Sequence, residues 1–407
     1  MNDLFYPFTT LPQTAAAALN IIITDALGTV FPACALVVIQ DGQPVLSNAW
    51  GWVDPETRQH PCTPQTWFDL ASLTKLFTVT AFLEHVAAGR VQLDDPVIRI
   101  LPEFGAGGER GIDGGIDPHT KQPHPTRDDL IGRTVDPASV TFRHLLTHTS
   151  GLAAWRPAYL AAGDPPPPPG QPDPIAREAR WKRGLASLLD APFVNQPGRE
   201  VLYSDVGLML LGEAVQRLSQ KPFADAVVTR LPAWGAANGR IGFIDPYDGA
   251  PFDLMRYAPT EDDTTWRKRR VWGEVHDENA CGLGGATGHA GLFGTAAAVA
   301  QFGQAWLNKA VLTPALVEQA VREQAVTDDE RRGLGWMIKS RANSSAGDAF
   351  SPLSFGHTGF TGTSLWIDPE KSLIAALLTN RVYYGRERPG IHAFRRAVHD
   401  CLARILR

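Results

Sequence analysis

The chain has 407 residues, 44% of them hydrophobic and 20% charged, with a formal net charge of −5. That is chain enough for a substantial core in one large unit or in two or three average domains. The acidic balance argues against a nucleic-acid or anionic-membrane binder, and no segment reaches the length of a membrane span. Cys34, Cys62, Cys281 and Cys401 show no C-x-x-C spacing and are too few for a disulfide framework. They read as free thiols, with one disulfide left open. Met1-Asn2-Asp3-Leu4-Phe5 lacks the basic start and apolar core of a secretory signal. The expectation is a cytoplasmic protein if Met1 is the native start, and otherwise an exported one.

Residues 13–29 predict a helix through Ala17, Leu19, Ile21, Ile22 and Leu27. Two strand-like runs follow, Ala35–Ile39 and Pro44–Ala49, with Asp41-Gly42 as the hairpin signal between them. A second helix starts near Ser72 and runs through Val79, Phe82, Leu83 and Val86 to Gly89. Residues 104–139, rich in Gly, Asp, Pro and His, read as an irregular surface insertion. A second loop, about 162–175, carries five prolines, Pro165–Pro169. Between these loops Thr141–Thr147 predicts a short helix closed by Thr149-Ser150-Gly151, and Val206–Leu218 a longer one. Arg267-Lys268-Arg269-Arg270, after Glu261, Asp262 and Asp263, reads as a solvated face. Strands are expected at Gly333–Ile338, Ser364–Asp368 and Ser372–Asn380, then an amphipathic helix over 390–407 with Ile391, Phe394, Val398, Leu402 and Ile405 on one stripe. The fold class is α+β. An antiparallel sheet from both chain ends (1–80 and 330–407) is flanked by helices, a mostly helical region (81–329) is inserted between them, and the whole forms one unit.

Chemistry concentrates at Ser72-Leu73-Thr74-Lys75. A serine and a lysine three residues apart share one helix face, and a helix N-terminus favours developing negative charge on the serine oxygen. The four residues alone are a weak motif. Two others follow in order, Tyr203-Ser204-Asp205 and His357-Thr358-Gly359. Together they resemble the serine β-lactamase and penicillin-binding-protein superfamily. The tyrosine-led middle element is similar to the class C-like branch, with its D-Ala-D-Ala carboxypeptidases and esterases. Phe68-Asp69-Leu70-Ala71, the phrase His144–Leu152 and Gly291-Leu292-Phe293-Gly294-Thr295-Ala296 extend the resemblance. Val275–Ala280, Gly288–Gly291 and His357–Ser364 resemble the muramyl-L-alanine amidases and low-activity penicillin-binding proteins of wall recycling.

The resemblance implies a β-lactamase/transpeptidase-like fold and roles for single residues. Ser72 would carry the acyl group, with Lys75 and Tyr203 as a coupled proton-handling pair. Crowded cations and burial are expected to lower the lysine pKa, while the cation stabilises phenolate. The backbone N–H groups of Ser72 and Phe360 would hold the oxyanion. Asp205, His357, Thr358 and Gly359 would contact substrate, with His289 and Asn279 near the site. Two departures stand out: His357 where penicillin-recognising enzymes carry Lys, and Asp205 where Asn is usual. A largely neutral histidine and an acceptor-only carboxylate both argue against efficient β-lactam hydrolysis.

Metal readings are weak. His276, Asp277, Glu278 and His289 lack H-E-x-x-H spacing, and His144 with His148 reads as a cap and turn beneath the site. Residues 282–294 contain no phosphate loop, and Trp155, Trp266 and Trp272 read as packing residues. No metal or cofactor is expected. The expected function is a serine hydrolase forming a Ser72 acyl-enzyme on an amide or ester, with a small molecule or peptidoglycan-derived muropeptide as substrate and no nucleic-acid partner. Oligomeric state stays open. Alternatives are a carboxylesterase, a weak β-lactamase or, in another class, a catalytically weak penicillin- or ligand-binding sensor. The intact Ser72, Lys75 and Tyr203 count against the sensor.

Overall fold

The computed structural model describes Leu4 and residues 6–236, 240–327 and 330–406. The reading of Met1 as a native start lies outside the described residues.

A nine-stranded antiparallel sheet forms the centre. From one edge its strands are Phe8–Thr9, Gln43–Gly51, Ala33–Gln40, Leu373–Thr379, Ser364–Asp368, Phe355–Thr358, Met337–Ile338, Arg331–Arg332 and Ala325–Val326. Both chain ends therefore build it. Asp41 and Gly42 have φ of 50° and 74°, as a tight hairpin turn requires, and Gln40 pairs with Gln43.

The interior strand Ala33–Gln40 is buried along nearly its whole length because it faces two cores. Side chains alternate across a strand. Ala33, Ala35, Val37 and Ile39 join the large core with the helix Ala296–Leu307. Cys34, Leu36 and Val38 join a second core, where Leu19 and Ile23 of the helix Gln13–Ala26 meet Phe394, Val398 and Leu402 of the helix Ile391–Ile405. The sheet is thus sandwiched by helices. The other helices, including Thr74–Ala87 and Asp205–Ser219, gather on the large-core side.

Several expectations need correction. Gly333–Ile338 is not one strand. Arg331–Arg332 and Met337–Ile338 pair with each other around Gly335, whose φ is 75°. The basic run at 267–270 is not a solvated face. Arg267 is 5% exposed and donates to the His276 carbonyl, while Arg269–Arg270 pairs with Asp262–Asp263 as a two-stranded ribbon. The insertion 104–139 is partly ordered, with a ribbon of Arg110–Gly111 on Thr134–Val135. All four cysteines are free. No helix among the described residues is long and apolar enough to cross a membrane.

Candidate active site

Pieces from distant parts of the chain converge on Ser72. The short strand Phe68–Asp69 leads into one 3₁₀ turn, Ala71–Leu73, which continues into the helix Thr74–Ala87. Ala71 has φ 46°, a left-handed backbone that a non-glycine residue keeps only when its surroundings hold it. Asp69 does the holding. Its carboxylate accepts from the N–H of Ala71 at 2.8 Å and of His276 at 2.7 Å. Burial pushes this carboxyl up to about 6, against the pull of those two donors. The hydroxyls of Thr361 and Thr363 donate to the carbonyls of Asp69 and Leu70 at 2.8 and 3.1 Å, pinning the turn to the sheet.

Lys75 lies one turn on and is 1% exposed. Its Nζ donates to Ser72 Oγ at 2.8 Å and to the His289 carbonyl at 3.1 Å, and it forms an ion pair with Asp205 Oδ1 at 2.8 Å. Burial alone would lower the lysine pKa, but Asp205 and Tyr203 outweigh it and hold the amine above its usual value. The expected lowering is thereby reversed, because position 205 supplies an anion. The Tyr203 ring lies against the ammonium, 4.8 Å from its centroid. Burial raises the phenol, Lys75 only partly offsets this, and Asp205 adds to the rise. The resting pair is an ammonium beside a neutral phenol.

His148 sets the Tyr203 segment in place. Its own φ is 59°; its Nδ1 accepts from Ser204 N–H at 3.1 Å, and its ring sits 4.7 Å from that of Tyr203. Ser204 then caps the helix Asp205–Ser219, accepting from Gly207 N–H at 3.1 Å. His144 completes a capping box at the short helix Phe142–Leu146. The two histidines are indeed a cap and a turn.

The strand Phe355–Thr358 brings up the third motif. A Cβ on Gly359 would sit 2.7 Å from the Leu70 carbonyl oxygen and overlap Thr363 Oγ1, so only glycine lets this backbone lie against the Ser72 turn. Among the described residues, no backbone hydrogen bond takes up the N–H of Ser72 or of Phe360. His357 is 2% exposed, with Nδ1 2.7 Å from the Thr358 carbonyl. Burial and the nearby Arg332 and Lys75 cations push its pKa well down, so the ring is neutral. From the C-terminal helix, Arg395 donates to the carbonyls of Gly359 and Thr363 at 2.8 and 2.7 Å. Burial brings this guanidinium down to about 9.

These groups border a cavity of about 450 Å³. Ser72, Tyr203, Asp205, His289, His357, Thr358, Gly359 and Phe360 line it, with Lys75 beneath. Sequence reasoning missed other walls. Pro118, His119 and Lys121 of the insertion form one, with Lys121 Nζ 3.9 Å from the Trp155 ring centroid and 3.6 Å from Glu278 Oε1. Arg332, Arg381, Arg386 and Arg395 form another. Trp155 also faces the cavity, whereas Trp272 packs away from it with Nε1 on the Tyr257 carbonyl. Asn279 is fully buried outside the lining and braces the backbone of Tyr159 and Arg156.

Donor atoms of Asp205, Asp277 and His289 lie within 4.8 Å of one another, a spacing that could suit a cation. The chain meets that need itself. Asp205 holds the Lys75 ammonium, and Asp277 Oδ1 is 2.9 Å from His289 Nε2. Burial would raise the Asp277 carboxyl, but His289 and the Ala280 N–H hold it far below the usual range.

Comparison with known proteins shows the family and the fold. A family profile described as "Beta-lactamase" matches residues 21–400. A Salmonella agona (strain SL483) protein named "Putative D-alanyl-D-alanine carboxypeptidase" is 28% identical over 381 residues, covering 86% of this chain and 79% of that one. Among solved structures, a class C beta lactamase from Rhodobacter sphaeroides superposes with a TM-score of 0.64 at 21% identity, covering 97% of this chain and 100% of that one. "EstCE1, a hydrolase with promiscuous acyltransferase activity" superposes with a TM-score of 0.66 at 19% identity, covering 96% and 99%. With the profile spanning nearly the whole chain and the fold matching end to end, this protein belongs to the beta-lactamase family of serine hydrolases.

Proposed function

We propose that the protein hydrolyses an amide or ester through a Ser72 acyl-enzyme, with a peptidoglycan-derived peptide ending in D-alanine as its substrate class. The observation that carries the reading is the Ser72–Lys75 contact at 2.8 Å, at the edge of a cavity where two backbone N–H groups stand free. Once the Lys75–Tyr203 pair has given up one proton to solvent, Ser72 Oγ attacks the substrate carbonyl carbon as its own proton passes into the pair. The carbonyl π electrons move onto oxygen, which the Ser72 and Phe360 N–H groups receive. Collapse expels the amine or alcohol, which takes the proton back. Water repeats the sequence on the acyl-enzyme and releases the acid. The name of the Salmonella relative supports the peptide class.

A carboxylesterase is the second reading, favoured by the buried neutral His357. A neutral ring offers a substrate carboxylate no fixed charge. The test compares a peptide ending in D-Ala-D-Ala, a muramyl-L-alanyl peptide and a p-nitrophenyl ester under one set of conditions. Release of D-alanine faster than ester turnover, measured as kcat/KM, supports the peptide reading. Ester turnover without peptide cleavage moves the assignment to the esterase, and no turnover of any of them overturns both.

A further inference from the structure

The Lys75 amine donates to Ser72 Oγ at 2.8 Å and to the His289 carbonyl at 3.1 Å, and Asp205 Oδ1 faces it as an ion-pair partner at 2.8 Å. An ammonium can donate hydrogen bonds but has no lone pair with which to take a proton. An ionised carboxylate and a carbonyl can only accept. In this state Ser72 is therefore an acceptor from Lys75 and cannot pass its proton there. Removing one proton from the amine changes the pattern. The neutral amine has a lone pair, and Ser72 Oγ lies 2.8 Å from it, within reach to hand over its proton.

The anion at position 205 decides how hard that proton is to remove. We propose that Asp205 is a positioning residue that locks Lys75 as an ammonium ion, so that the Lys75–Tyr203 pair must lose a proton before Ser72 is activated and the enzyme works best in alkaline solution. The inference rests on the Ser72 acyl-enzyme reading above. An asparagine at 205 would keep the shape of the side chain without its charge, and the lock would loosen.

The charged and titratable groups facing the pair come from every element around it. Asp205 borders it from the helix Asp205–Ser219, with Asp277 and His289 from the loop opposite. His148 packs on the Tyr203 ring, and Arg332 and His357 approach from the sheet side. His148 and His357 are buried and neutral, the Arg332 guanidinium lies 5.2 Å from the Tyr203 ring centroid, and Asp277 is engaged by His289. Asp205 is the carboxylate in contact with the lysine. The directions for Lys75 and Tyr203, both upward with Asp205 among the causes of each, agree with the geometry.

The experiment is the pH profile of kcat/KM on a p-nitrophenyl ester, corrected for spontaneous hydrolysis, for wild type, Asp205→Asn and Asp205→Glu. In the wild type the activity should still be climbing above about pH 8, since both partners start from pKa values near 10 and are raised. Asp205→Asn should move that limb down by about one to three pH units, the usual effect of one neighbouring charge, and raise activity at pH 7 by roughly tenfold or more. Asp205→Glu, keeping the charge, should keep the alkaline limb. A merely structural role would lower activity equally at every pH and leave the limb in place, which overturns the proposal. So does a wild-type limb below pH 7, a result that needs no variant. Absence of a fluorophosphonate adduct that depends on Ser72, read by intact mass, would instead break the acyl-enzyme reading. A Ser72-dependent adduct with a limb below pH 7 breaks this inference alone.

Discussion

Two sides of one cavity treat buried charge in opposite ways. On the helical side Lys75 is 1% exposed, yet its amine is held charged by Asp205 at 2.8 Å. On the sheet side His357 is neutral and Arg395, bonded to two backbone carbonyls, is brought down to about 9. Lys75, His357 and Arg395 are all buried, and a counter-ion in contact with Lys75 alone reverses the direction that burial sets. Charge that can shift protons is therefore kept beside Ser72. The sheet side supplies shape, the free Phe360 N–H that complements that of Ser72, and a rigid Gly359 backbone.

The sharpest way to break this division is to disturb the sheet side alone. Gly359→Ala leaves the Lys75–Asp205 pair untouched but forces a Cβ toward the Leu70 carbonyl and Thr363 Oγ1. A displacement near 1 Å at the Ser72 turn should lower kcat/KM by roughly a hundredfold. Retention of wild-type activity would show that the contact between Gly359 and the turn does not set the geometry.

A second, intermediate effect concerns the neutral histidines and reads out as stability. His276 and His399 are brought down to about 4 by burial, so the folded state binds fewer protons than the unfolded state below pH 6.5. Their contribution is fully present above pH 6.5 and is lost as pH falls toward 4, by about 3 kcal/mol each. Asp69, pushed up to about 6, acts with the opposite sign: its contribution is present at low pH and is lost as pH rises through about 6. The two histidines outweigh it, and Tm should fall between pH 7 and pH 4.5. His399→Gln should flatten that slope, and an unchanged slope would show that His399 is not buried neutral.

The smallest effect belongs to the insertion wall. Lys121→Ala removes a cation from the Trp155 face and from Glu278. An exposed cation–π contact contributes about 0.5–1 kcal/mol, so KM should rise by roughly two- to fivefold with kcat little changed. A larger loss in kcat would place Lys121 in the chemistry itself.

The three motifs were legible because each occupies a spot where the backbone tolerates few alternatives. Gly359 must lie against the Ser72 turn, Ser204 must cap a helix, and Lys75 must fall one turn beyond Ser72. The hairpin was legible for the same local reason, since Asp41-Gly42 accepts positive φ. What escaped notice depends on tertiary packing. Asp69 looks like part of a flanking phrase until its carboxylate is seen holding Ala71 and His276. Lys121 and Arg395 are far apart in sequence from Ser72, and neither has a motif of its own. A run of basic residues reads as solvated in sequence, whereas the Arg267 guanidinium is buried and bonded to the His276 carbonyl. The broken strand at 333–338 had a visible warning in Gly333 and Gly335.

The central claim is that Ser72 carries the acyl group. Intact-mass measurement after incubation with a fluorophosphonate probe and with a p-nitrophenyl ester tests it most directly, in wild type and in Ser72→Ala. The account predicts a single adduct on the wild type with the probe, a transient acyl adduct with the ester, and neither on the variant. An adduct that survives in Ser72→Ala, or a wild type that reacts with neither reagent, would contradict it.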